Sequence, residues 1–202
     1  MSRTKIIALT ALAPIVWGST YIVTTELLPA ESPLMASLMR ALPAGLLLVI
    51  AGKAKLEQSW WLKMTVLGVL NIGLFFYCLF FAATYLPGGM AALVGSLQPI
   101  FVMLLSWFLL KDKLSLMQLL ASCLGILGIG LLLSNNATTL NPQGVAVGLI
   151  GTLSMSIGVV LTKRWGRPKG MTMLGFTGWQ LLVGGIFLLP VTLVVEGIHP
   201  VI

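Results

Sequence analysis

Charge is what this chain has least of. Only 8% of its residues are Asp, Glu, Lys or Arg, and five of the 202 are acidic. So few charges cannot cover a soluble domain with polar surface. Histidine is nearly absent too. The one present, His199, stands at the end of the chain, whereas a membrane-embedded enzyme needs His, Asp, Glu or Cys converging at depth. The chain is therefore read as no enzyme, with no cofactor and no metal. Cys78 and Cys123 both fall inside apolar stretches, so free buried thiols are expected and a disulfide framework is excluded. No loop is long enough to fold into a nucleic-acid-binding module, and the net charge of +7 needs another explanation.

That explanation lies in where the bases fall. The sequence contains seven apolar runs, at Ile6–Thr25, Pro33–Gly52, Met64–Tyr85, Met90–Leu110, Leu114–Leu133, Gly144–Thr162 and Met173–Val195. Each is about long enough to cross a ~30 Å hydrocarbon core at 1.5 Å per residue. Eleven of the twelve bases stand in alternate gaps between the runs: Arg3 and Lys5, then Lys53, Lys55 and Lys63, then Lys111 and Lys113, then Lys163, Arg164, Arg167 and Lys169. The intervening gaps hold Glu26 and Glu31, the neutral Leu86–Gly89 turn and the uncharged 134–143 loop. The positive-inside rule then predicts a multi-pass protein of the cell inner membrane, N-terminus in the cytoplasm and C-terminus outside. A seven-helix receptor is excluded, since that class has its N-terminus outside. Ala11-Leu12-Ala13 resembles a signal-peptide cleavage site, but Pro14 and the apolar stretch continuing to Val23 argue against cleavage.

Internal self-similarity adds a second layer. A shift of 138 positions lays Trp17–Thr24 on Met155–Thr162, with Thr24 matching Thr162, and a shift of 140 lays Leu34–Leu48 on Leu174–Leu188, matching Leu34, Leu42, Gly45 and Leu48. Five runs separate the copies, an odd number, so the copies cross in opposite directions. Carriers that work by alternating access are built from inverted repeats of this kind. The predicted fold is all-α, a polytopic transmembrane bundle of seven spans with a partial inverted five-helix repeat. Residues 1–134 form the first unit and residues 135–202 a shortened second unit of two helices.

Polar and aromatic residues at helical spacing mark the faces turned from lipid. Thr10, Pro14, Trp17, Tyr21 and Thr24 form one stripe in the first run. Pro33, Ser37, Arg40 and Ala44 do so in the second, and Asn71, Phe75, Cys78, Ala82 and Tyr85 in the third. Thr152, Met155, Val159 and Thr162 mark the sixth run, and Thr177, Gln180 and Gly184 the seventh. Such stripes either line a cavity with aromatic walls and a few hydrogen-bonding groups or pack helix on helix. Pro14 and Pro99 lie near the middle of their runs and would free the carbonyls of Thr10 and Gly95, with Gln98 beside the second gap. The candidate substrate-binding residues are Trp17, Tyr21, Arg40, Asn71, Phe75, Gln98, Pro99 and Gln180, centred on the level of Trp17, Gln98 and Pro99. Arg40, the one base well inside a run, has two readings. It pairs with Glu26 or Glu31, or it faces the cavity as counter-charge to a carboxylate substrate. None of the acids stands securely in the membrane, so proton coupling is unsupported by this chain, with Glu26, one turn beyond Tyr21, as its single candidate carrier. Gly88, Ala91, Gly95, Gly125 and Gly128, and Gly144 with Gly148, are read as seams where helix backbones approach closely.

The stretches Ala13–Tyr21 and Arg40–Gly45 resemble an EamA-type member of the drug/metabolite transporter superfamily. The segment from Leu67–Gly73 through Leu86–Gly89 to Gln98-Pro99 is similar to the PecM-like branch of that family. The resemblance implies a ten-helix carrier of two inverted five-helix halves that exports small organic metabolites such as amino acids, aromatic metabolites, pigments or drugs. Helices eight to ten of that pattern lie beyond Ile202. A second copy or a partner chain is thus expected to complete the second half. The alternatives are a non-transporting fragment or subunit of a longer carrier, and a lipid-linked sugar flippase of the same superfamily. The expected partners are the bilayer and a small-molecule substrate, with no nucleic acid.

Overall fold

A computed structural model describes residues 7, 10–12, 33–53, 55–135 and 141–196. Among these, all regular structure is helical. Six helices follow one another: α1 Pro33–Ala51, α2 Gln58–Tyr85, α3 Gly88–Leu110, α4 Leu116–Asn135, α5 Pro142–Trp165 and α6 Met173–Val195. They correspond to the second to seventh apolar runs. Five are long and apolar enough to span a membrane, and α4 contributes a shorter apolar stretch, Leu116–Gly128. Most of the first run, including Trp17 and Tyr21, lies outside the described residues, as do Glu26 and Glu31 in the gap after it.

Local chemistry sets the helix ends. The Asn141 side chain accepts from the Gln143 and Gly144 N–H groups with Pro142 in the first turn, and Thr172 accepts from Gly175 N–H. Ser115 and Gln118 form a reciprocal capping box at α4, Gln118 N–H donating to Ser115 Oγ and Ser115 N–H to Gln118 Oε1. The chain leaves α3 through Lys111 in the left-handed region at φ 59, and the turn after α5 uses Gly166 at φ 71.

Adjacent helices run in opposite directions, so the three base-rich loops share one end. There Lys163 Nζ meets Asp112 Oδ2 at 2.6 Å, and Met64, Leu67, Met171 and Phe176 pack with Trp60, Trp165 and Trp179. Trp61 meets Trp179 edge-on at 5.5 Å. Tryptophan gathered beside a basic rim is the arrangement of a membrane–water interface. At the opposite end the Glu196 carboxylate accepts from the N–H groups of Leu34 and Met35, at 2.7 and 2.8 Å. An anion is thereby placed on the positive end of the α1 dipole, tying the end of α6 to the start of α1.

Close backbone approach, rather than large side chains, joins the helices. In lipid no hydrophobic gradient separates helix contacts from tail contacts, so small residues and dispersion carry association. The helices α1 and α6 cross antiparallel: a Cβ on Gly45 would stand 2.5 Å from Leu182 N, and one on Gly185 would stand 2.7 Å from Leu42 Cγ. The seam between α2 and α5 is also antiparallel. A Cβ on Gly151 would lie 2.6 Å from Cys78 Cβ, and one on Gly144 would lie 2.8 Å from Tyr85 Cβ. The outer side of α5 carries α3, with Val94 against Gly148.

At the edge, α4 is different. Met117, Leu124, Leu127 and Leu131 are largely exposed, and a Cβ on Gly125, Gly128 or Gly130 would meet nothing within 4 Å. Two expectations are corrected here. Gly125 and Gly128 make no close helix contact among the described residues, and Cys123 is exposed, while Cys78 is buried. Both follow from the position of α4 outside the α5 and α6 seams, where its small residues have no backbone to approach.

Candidate functional site

The third-run stripe becomes the inner face of α2, and the structure shows what it meets. Asn71, Phe75, Cys78 and Ala82 are buried, while Tyr85 is exposed. Asn71 sits in a π turn, Val69–Gly73, that interrupts α2. A π turn inserts one residue into the i→i+4 ladder and re-aims the side chains around it. Here Asn71 Nδ2 donates to Gln180 Oε1 of α6 at 2.7 Å and lies 3.5 Å from Thr162 Oγ1 of α5. Ser154 of α5 donates to the Leu70 carbonyl within the same turn at 2.9 Å. Three helices are therefore linked by side-chain amides and hydroxyls at one level.

One atom of this node is unmatched. Asn71 Oδ1 is buried with no N–H or O–H donor. It faces Gly158 so closely that a methyl group there would overlap it, which leaves the glycine Cα–H as its contact, a weak hydrogen bond. Gly158 is thus the partner that sequence reasoning missed. The signal was the spacing Gly144, Gly148, Gly151 and Gly158, which repeats on one helical face.

The hydroxyl stripes carry less information than expected. Thr152 donates to the Gly148 carbonyl, Ser156 to Thr152, Thr162 to Gly158 and Thr192 to Leu188, each at 2.7–2.9 Å and each four residues back. A hydroxyl satisfied by its own helix places no demand on a neighbour. Val159 and Thr177, two other stripe members, are exposed.

Of the remaining candidates, Arg40 on α1 is half-buried with its guanidinium 5.5 Å from the ring centre of Phe76, a cation–π distance. Phe76 and Phe75 share the core cluster with Leu34, Ala41 and Leu188. Asn71, Phe75 and Gln180 thus come together, with Arg40 beside them on the Phe76 side. Gln98 and Pro99 lie elsewhere, on the far side of α5, and Trp17 and Tyr21 fall outside the described residues.

Around Pro99 the expected mid-helix kink is a complete break. The first segment of α3 ends at Gly95, Ser96 and Leu97 form a turn, and a new helix starts at Gln98 with Pro99 in its first turn. That position suits proline, whose missing N–H is not needed there. Beside the break a cleft of about 490 Å³ opens between α3 and α4, bordered by Ser96, Pro99, Met103, Gln118, Ser122 and Gly125. Ser122 Oγ lies 3.6 Å from Met103 Sδ. The described residues hold no group of three or more His, Cys, Asp or Glu that could bind a metal.

The described residues are helical throughout their regular structure, with several membrane-length apolar helices, and comparison with known proteins decides the family. Residues 4–134 match the EamA-like transporter family. The chain belongs to that family. This EamA-type protein is 54% identical to Protein PecM of Dickeya dadantii over 184 residues, which cover 91% of the chain and 62% of PecM. It is 28% identical to the Bacillus subtilis transporter YvbV over 196 residues, 94% of the chain and 63% of that protein. It is 30% identical to the inner membrane transporter YedA of Escherichia coli K12 over 180 residues, 87% and 58%. The chain thus spans about three-fifths of the length of these relatives. No solved structure matches it. Its membrane-length apolar helices make it a multi-pass membrane protein of a transporter family.

Proposed function

We propose that this EamA-type chain exports small organic metabolites by alternating access, using an inverted repeat of five-helix units in a seven-span arrangement. The observation that carries the reading is the crossing of α1 with α6. Gly45 meets Leu182 and Gly185 meets Leu42. A shift of 140 positions turns Gly45 into Gly185 and Leu42 into Leu182, so one close contact maps onto the other. A reciprocal antiparallel crossing is what an inverted repeat produces at its pseudo-two-fold axis. Rocking of the two halves about this crossing would expose a central cavity to either side in turn.

The cargo-binding residues in this reading are Trp17, Tyr21, Arg40, Asn71, Phe75, Gln98, Pro99 and Gln180. The Asn71–Gln180 pair at the α2 π turn and the aromatic surface at Phe75 support that assignment. Gathering of the bases at one end supports an inner-membrane location with that end in the cytoplasm, N-terminus inside and C-terminus outside. A second copy or a partner would complete the second half.

Efflux of aromatic metabolites from cells expressing residues 1–202, against an empty-vector control, tests the proposal. Lower intracellular accumulation is expected, and Trp17→Ala or Gln98→Ala should abolish the difference while the protein still inserts. Coverage of only about three-fifths of each relative favours one second reading, a subunit or part of a longer carrier. Membrane-inserted protein with no efflux would select it.

A further inference from the structure

The break in α3 leaves two main-chain carbonyls without donors. Ser96 N–H bonds back to the carbonyls of Ala92 and Leu93, Leu97 N–H to Val94, and both Ile100 and Phe101 N–H groups converge on Leu97. Pro99 has no N–H to give. Among the described residues nothing donates to the carbonyls of Gly95 or Ser96. Their depth makes this consequential. Ser96 is eight residues into the Gly88–Leu110 span, about 12 Å at 1.5 Å per residue, close to the middle of a ~30 Å core. An open carbonyl facing hydrocarbon costs several kcal/mol, on the order of its full desolvation, and irregular backbone survives at such depth only where it is covered by protein or lines a hydrated cavity.

The side the break adjoins is the α3–α4 cleft, bordered by both Ser96 and Pro99. Beside the break its chemistry is one-sided. The Ser96 hydroxyl is already donated to the Leu93 carbonyl, and the Ser122 hydroxyl points at Met103 Sδ, so each offers lone pairs rather than a proton. Gln118 Oε1 is held in the α4 capping box, and its Nε2, the side-chain donor that borders the cleft, stands seven residues along α4 from Gly125. No acidic or basic side chain borders the cleft, and Ile100, Met103 and Ala121 supply an apolar wall. A volume of about 490 Å³ falls within the ~300–1,000 Å³ of small-molecule sites.

We infer that the α3–α4 cleft is a binding site for the hydrogen-bond-donor head of a small amphiphile, its amine, amide N–H or hydroxyl held by the Ser96 carbonyl and its apolar body on Met103 and Ile100. Broken transmembrane helices use unwound carbonyls in this way toward positive or donor groups. At this end of the cleft a carboxylate, which only accepts, would set its oxygens against the Ser96 carbonyl oxygen and is rejected. The inference names the head-group chemistry of the cargo proposed above and rests on that reading. It does not involve the Asn71–Gln180 node, which lies across α5.

The test reads occupancy, not flux. Residues 1–202 carrying Cys123→Ala, with one thiol introduced by Ser96→Cys or Ser122→Cys, are placed in nanodiscs. They are labelled with the water-soluble ethylammonium methanethiosulfonate. Leu127→Cys, exposed on the opposite face of α4, is the lipid-facing control. Both cleft thiols should react about tenfold faster than the control or more, because a thiol must be hydrated to ionise and react. Saturating 2-phenylethylamine should slow cleft labelling by about fivefold or more while 3-phenylpropionate, the same body with a carboxylate, leaves it within about twofold. Cleft thiols no faster than the control would mean that protein or lipid seals the site, and would overturn the inference. So would equal protection by both probes, or stronger protection by the carboxylate. If 2-phenylethylamine protects but cells show no efflux, the cleft stands and the proposed export falls.

Discussion

Two regions of this EamA-type protein meet the same difficulty, an irregular helix inside a membrane, and resolve it differently. In the α2–α5–α6 core the irregularity is the π turn at Val69–Gly73. Its Leu70 carbonyl is taken by Ser154, and Asn71 Nδ2 is taken by Gln180. At the α3–α4 edge the irregularity is the break at Ser96–Leu97, where the Gly95 and Ser96 carbonyls meet no donor among the described residues. The glycines divide along the same line. Gly45, Gly151, Gly158 and Gly185 are pressed against neighbouring atoms, whereas Gly125, Gly128 and Gly130 have none within 4 Å. Identical residue types thus serve as structural joints in one region and stand open in the other. An irregularity that is answered by neighbours holds helices together, while one left unanswered at depth requires something else to satisfy it.

The glycines offer the largest test of that division. Valine at Gly45 would place its Cβ 2.5 Å from a backbone nitrogen of α6, which no rotamer change relieves. Gly45→Val should lower stability by about 3 kcal/mol, the upper range of overpacking. Gly128→Val should stay within about 0.5 kcal/mol, since a surface substitution that trades glycine for valine changes helix propensity only slightly. Thermal unfolding midpoints in detergent compare the two. Similar losses from both would erase the distinction between the packed core and the open edge.

Much of this was legible in the sequence, and what was not has identifiable causes. The runs after the first appear as helices because twenty or so apolar residues in lipid have little alternative to a helix, whatever their neighbours. Asn71 and Gln180 were legible as polar residues needing cover. Their pairing was not, since periodicity reports a face and not the helix opposite. The π turn has no sequence signature in Val69–Gly73, so the re-aiming of Asn71 toward α6 was invisible. Threonine stripes suggested a cavity, but Thr152 and Thr162 bond to their own helices. Glu196 reads as a loop charge until α1 is seen to begin beside it. Trp17 and Tyr21 lie outside the described residues, so their part of the candidate site is carried by sequence alone.

The core node supports a second, smaller test. Asn71→Leu leaves the Gln180 amide unpaired in a dry site, and Gln180→Leu does the reverse. Each should cost about 1–2 kcal/mol, within the range for buried hydrogen bonds and interhelical polar pairs. The double variant should cost about 1 kcal/mol less than the two added together, because once either partner has gone the other has little left to lose. Equilibrium unfolding of the four proteins completes the cycle. Simple additivity would mean that the 2.7 Å contact is no energetic link between α2 and α6, and the core would lose its claim to be fastened by polar pairing.

The smallest effect belongs to a contact that joins the two regions across water rather than lipid. Lys163, at the end of α5, meets Asp112, in the loop between α3 and α4, at 2.6 Å with the two side chains 63% and 40% exposed. The short distance invites a large energy, but the exposure decides otherwise. A solvated ion pair of this kind contributes about 0.5 kcal/mol, because water screens the attraction and two long side chains must be held in place. Lys163→Met should therefore shift the unfolding midpoint only slightly in low salt and not at all near ~1 M, where the screening length falls to ~3 Å. A loss as large as that from Asn71→Leu, persisting in high salt, would show that this loop holds the α3–α4 edge to the core.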